Sequence, residues 1–106
     1  MLAGCGGERE PAPQLPSALA ERLAERSDSV AALLETGDAC GARSEAQRLQ
    51  ADAIAAVNEG AVPTPLQEEL LAAVTELAGS IECPPGRTRA KPEDASSLSA
   101  WLRERS

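Results

Sequence analysis

Residues 64–83 read Thr-Pro-Leu-Gln-Glu-Glu-Leu-Leu-Ala-Ala-Val-Thr-Glu-Leu-Ala-Gly-Ser-Ile-Glu-Cys. Leu66, Leu70, Val74, Leu77 and Ile81 recur at intervals of four, four, three and four, the period of one face of an α-helix. Thr64 predicts an N-cap, Pro65 fits the first helical position, and Gln67 at N3 completes a capping box. Cys83 is followed by Pro84-Pro85-Gly86, which cannot continue a helix. A helix over 65–82 follows.

Working back toward the N-terminus, a second helix is expected over 39–59. Asp38 is its N-cap, with a charge that suits the positive end of the helix dipole, and Gly60 is its stop. Ala42, Ala46, Leu49, Ala53, Ala56 and Val57 form its apolar face, with Ile54 beside it. A first helix is expected over 17–36, capped by Ser17 and stopped by Gly37, with Leu19, Leu23, Val30, Leu33 and Leu34 on one side. Arg26 and Ser27 interrupt that stripe. Both connections are short, so neighbouring helices should be antiparallel. The expected fold is all-α, an up-down-up three-helix bundle over 17–83. A disordered tether (1–16) precedes it, and a Pro/Gly/basic linker and tail (84–106) follow. Within the tail, Glu93 to Arg103 suits a short helix with Ala95, Leu98, Trp101 and Leu102 on one side, of marginal length for independent stability.

The chain has 106 residues, 17 acidic and 10 basic, for a formal charge of -7. That balance argues against a nucleic-acid partner, which needs a basic surface. There is no Phe, Tyr or His, and Trp101 is the lone aromatic residue. Without His, the commonest general base and metal ligand are missing. No Gly-x-Ser-x-Gly and no phosphate-binding loop occur. Glu21 with Glu25, and Glu45 with Asp52 and Glu59, read as solvated outer faces, as do Glu68, Glu69 and Glu76. No catalytic, cofactor-binding or metal-binding residue is nominated, and the chain is expected not to be an enzyme. Ala supplies 21 residues, so the core must be built mostly from small side chains. A core so thin often depends on a covalent staple.

The chain opens Met1-Leu2-Ala3-Gly4-Cys5-Gly6-Gly7. Leu2-Ala3-Gly4-Cys5 resembles the lipobox of bacterial lipoproteins, and with the stretch that follows it the chain resembles the small exported helical lipoproteins of high-GC Gram-positive bacteria; the excess of Ala, Arg, Gly and Pro is that of a GC-rich genome. The resemblance implies that the Cys5 thiol carries a lipid and that the mature chain begins there. It also implies a signal peptide, whose charged and apolar stretches would lie upstream of Met1. Residues 6–16 have the composition of a tether between such an anchor and a folded domain. The expected location is the outer face of the cell membrane, with the bundle an interaction or spacer module. The alternative is a cytoplasmic adaptor that docks a partner helix on a leftover apolar stripe of Leu34, Ile54 and Leu71.

Three cysteines are an odd number, and lipidation of Cys5 would leave Cys40 and Cys83 to pair. Cys40 stands 20 residues before Gly60 and Cys83 stands 19 after Thr64. In an antiparallel hairpin rising about 1.5 Å per residue, the two reach the same height. A disulfide there would tie the open end of the hairpin. Two free buried thiols are the reading that fits a reducing compartment, and redox or metal chemistry lacks a Cys-x-x-Cys. Leu98, Trp101 and Leu102, beside Arg103 and Arg105, are the candidate contacts for an unidentified protein partner or a membrane surface. A frayed tail, or one docked on the bundle, is the other reading of the same residues.

Overall fold

The computed structural model describes residues 12–83 and 88–106; Cys5 and the rest of the lipobox lie outside them. Among the described residues there are four helices and no strand: α1 (Ser17–Glu35), α2 (Ala39–Asn58), α3 (Thr64–Gly79) and α4 (Pro92–Glu104). The fold is all-α as expected, but the fourth helix corrects the three-helix reading. Residues 92–104 are a structural member of the bundle. On its own such a helix would be marginal, and it holds because it buries Ala95, Leu98, Ser99 and Leu102.

The helices form a ring in chain order. α1 packs against α2 and α4, α2 packs against α3, and α3 and α4 touch only sparsely. Side-chain pairings give the directions. Ser27 meets Ala95 and Ala24 meets Ser99, while Glu21 meets Arg103, so α1 and α4 are antiparallel. Gln50 donates to Thr75 at 3.0 Å and Cys40 is bonded to Cys83, so α2 and α3 are antiparallel as well. Leu15, placed in the tether by sequence, is buried, and its N–H donates to the Arg105 carbonyl at 2.6 Å. The first and last turns of the fold are thereby clasped together.

Helix ends follow local chemistry, with two corrections. The Asp38 carboxylate accepts from the Gly41 N–H at 2.9 Å, the expected N-cap. Gly37 and Gly60 take φ of +82° and +77°, the left-handed stop that a side chain would disfavour. Ser17 and Thr64, however, are not caps. Each already lies in the first helical turn, behind Pro16 and Pro63, and neither helix start has a side-chain cap. A capping hydroxyl must sit on a residue with non-helical backbone, which neither has. The Gln67 amide turns instead to the Val62 carbonyl at 3.0 Å. α3 also stops at Gly79, three residues early, because the Ser80 carbonyl accepts the N–H groups of Arg89 and Ala90. That bond pair turns the returning chain toward α4.

The core is Leu, Val and Ile set among alanines. Leu66, Leu70, Val74, Leu77 and Ile81 are all buried, as are Ala42, Ala46, Leu49, Ala53 and Ala56 of α2. α1 carries Ala20, Ala24, Ser27 and Ala31 along one strip, all buried. Small side chains there bring α1 and α4 close enough for a serine hydroxyl to reach the opposite main chain. Ser27 Oγ donates to the Ala95 carbonyl at 2.8 Å, and Ser99 Oγ lies 3.1 Å from the Ala24 carbonyl.

Candidate functional site

The sparse contact between α3 and α4 leaves a cleft of about 370 Å³ along that seam. Its floor is apolar: Ala73 and Leu77 from α3, Leu98 and Trp101 from α4. Its rim is acidic: Glu69 and Glu76 on one side, Asp94 on the other. The helices dictate this layout. Glu69, Ala73, Glu76 and Ser80 step by four, three and four along α3 and so share one face. Asp94, Ser97, Leu98 and Trp101 do the same on α4.

No cation of the described residues forms an ion pair with the rim. Among the described residues neither Glu69 nor Glu76 has a cationic partner, and the Asp94 carboxylate accepts only the Lys91 N–H, at 2.9 Å. Trp101 is half-buried, with the Arg105 guanidinium 5.0 Å from its ring centroid. Its indole Nε1 is buried without an acceptor among the described residues. A buried donor left unpaired costs roughly 1–3 kcal/mol, so it stands out in an otherwise well-satisfied bundle.

Elsewhere the acids are engaged in holding helices together. Arg103 binds Glu21 through two bonds of 3.0 and 3.2 Å and reaches Asp28 at 2.9 Å. Arg26 binds Asp52 at 2.9 Å and Glu45 at 3.1 Å. Each arginine therefore spans two carboxylates seven residues apart on a neighbouring helix. The Arg103 hydrogen bonds hold the Glu21 carboxyl below its ordinary range. Burial pushes the Asp28 carboxyl up, but the Ser99 hydroxyl and Arg103 outweigh it and leave it below the usual aspartate value. Both carboxylates in turn push the Arg103 guanidinium up. Glu21, Glu45 and Asp52, read from sequence as solvated, are thus paired: Glu45 and Asp52 with Arg26 of the neighbouring α1, and Glu21 with Arg103 of α4, whose placement the sequence did not specify.

Of the residues nominated by sequence, Cys40 and Cys83 are bonded, with Cα atoms 4.8 Å apart. Both are solvent-exposed, so the bond lies on the surface at the open end of the α2–α3 hairpin. Leu102 is fully buried in the bundle, while Leu98, largely buried, and Trp101 line the cleft. Leu34 and Leu71 are half-buried against the core, and of that apolar stripe Ile54 alone is exposed, at 43 %. Sequence reasoning missed Glu69, Glu76 and Asp94 as a group. The signal was an acid repeating at seven-residue spacing beside the α3 stripe, which alone resembles any solvated face. Among the described residues no cluster of His, Cys, Asp or Glu could hold a metal ion, and no helix is long and apolar enough to cross a membrane. No protein-family model matches the chain, and neither does any curated protein or solved structure.

Proposed function

We propose that this chain is a lipid-anchored module of the cell envelope that works by binding and not by catalysis. The observation that carries the reading is the exposed Cys40–Cys83 disulfide. A surface disulfide persists in an oxidising compartment and is reduced in the cytosol of most organisms. It also accounts for two of three cysteines and leaves Cys5, in its Leu2-Ala3-Gly4-Cys5 setting, for the anchor. The non-catalytic part of the reading is supported by the absence of His from the sequence and by the structural commitments of several polar side chains. The buried hydroxyls of Ser27 and Ser99 face main-chain carbonyls, and the ordered carboxylates of Glu21, Asp28, Glu45 and Asp52 are bound to arginine.

Detergent phase partition of protein expressed from its complete gene tests the anchor. The wild type should enter the detergent phase and the Cys5→Ala variant should stay in the aqueous phase. Wild-type protein in the aqueous phase with an unmodified Cys5 thiol would overturn the reading.

A further inference from the structure

We infer that the cleft between α3 and α4 is a docking groove for a basic amphipathic helix of a protein partner. The apolar face of that helix would lie on Ala73, Leu77 and Trp101, and its Lys or Arg side chains would meet Glu69, Glu76 and Asp94. This rests on the reading of the bundle as a binding module and is independent of the anchor.

Three observations fix the occupant's chemistry. The first is shape. From Glu69 to Ser80 the groove follows α3 for eleven residues, about 16 Å, which is three turns of a facing helix. An open trench of that length suits a helix laid along it, whereas small ligands are mostly enclosed. The second is charge. Glu69 and Glu76 stand seven residues apart, about 10 Å along the axis, and cations at i and i+7 of a partner helix repeat that spacing. With no cation among the described residues on either acid and a chain charge of -7, the complement is positive. The same acids repel anionic lipid headgroups and nucleic-acid phosphates. The third is the place of the gap in the fold. The ring of four helices is closed tightly along three seams and sparsely along this one, so a fifth helix here covers apolar floor that the chain leaves open.

Trp101 is the lone aromatic residue, so its fluorescence reports on the groove without a label. The experiment titrates the full chain with a 14-residue Leu/Lys amphipathic helical peptide at low salt. The expected result is a blue shift of Trp101 emission that saturates at one peptide per chain. Glu69→Gln with Glu76→Gln should weaken binding about tenfold and flatten its salt dependence. Ser97→Arg, at an exposed position on the α4 wall, should weaken it at least as much without disturbing the core. Glu25→Gln with Glu59→Gln, equal in charge removed but remote from the groove, should change nothing.

Equal loss from both acid pairs would mean non-specific attraction and would overturn the groove. Saturation by monomeric decyltrimethylammonium, with no response to the peptide, would assign the cleft to a small cationic amphiphile. Concentration-dependent dimerisation abolished by Ser97→Arg would assign it to a second copy of the chain. Protein that stays aqueous in detergent partition yet binds the peptide through Glu69 and Glu76 keeps the groove and loses the anchor. The converse pair of results loses the groove alone.

Discussion

The Ser27 hydroxyl of α1 donates to the main-chain oxygen of Ala95 in α4 across 2.8 Å, joining residues 68 apart in sequence. Both side chains are fully buried, so the bond is shielded from water and fixes how α4 lies on α1. Ser27→Ala should cost about 1 kcal/mol, the net worth of an ordinary hydrogen bond. Ser27→Leu should cost more, about 1–3 kcal/mol beyond that, because the close α1–α4 approach has no room for the added atoms. Urea unfolding followed by circular dichroism measures both. A Leu variant as stable as the Ala variant would mean that the α1–α4 seam is loose.

Acid should weaken the fold through the Arg103 cluster. The Glu21 and Asp28 carboxyls are lowered in the folded chain. Their contribution is therefore whole above their unfolded values, near pH 4–4.5, and is lost as pH falls through the lowered folded values. The urea midpoint of the wild type should drop between about pH 4.5 and 2. Arg103→Met should start lower at neutral pH and drop less over the same interval. Parallel pH profiles of the two proteins would show that the cluster contributes nothing to acid sensitivity.

Two glycines in helices should respond oppositely to alanine. Gly79 has open space where a Cβ would go, so Gly79→Ala should stabilise by about 0.5–1 kcal/mol. At Gly41 the same Cβ would stand 2.5 Å from a carboxylate oxygen of Asp38. The cap must swing away, and losing it costs about 1 kcal/mol, which offsets the helical gain. Chemical denaturation of the two variants should place them about 1 kcal/mol apart. Equal gains would mean that the Asp38 cap carries no weight.

Reduction of Cys40–Cys83 should destabilise strongly. The bond closes a loop with a sequence separation of 43, worth about 4 kcal/mol in the chain-entropy account. For a domain whose core is largely alanine, that is a large part of the total. Thermal melts with and without reductant, and of Cys40→Ser with Cys83→Ser, should show a shift of many degrees. Coincident melts would mean that the hairpin end is held by packing alone.

The helices of the α2–α3 hairpin were legible because their information is local. Periodic Leu and Ala, Asp38, Gly37 and Gly60 each act within a few residues, and equal heights placed Cys40 opposite Cys83 before any fold was known. For α4 the sequence showed a short helix and left open whether it frays or docks, because its stability is tertiary: Ala95, Leu98 and Leu102 on one side are buried mainly against α1. The break in the α1 stripe at Arg26 and Ser27 has a tertiary cause that no local pattern carries. It is where α1 makes its polar contacts with both neighbours, Arg26 to α2 and Ser27 to α4. The cleft was not legible either, since Glu69 and Asp94 become neighbours only once the ring has formed.

Non-reducing intact mass with thiol alkylation, on protein drawn from the cells that make it, tests the central claim most directly. An oxidised Cys40–Cys83 pair, no alkylatable thiol and a diacylglyceryl mass on Cys5 is the result expected of an anchored, exported module. Three free thiols, all alkylated, would contradict it and place the bundle in a reducing cytosol.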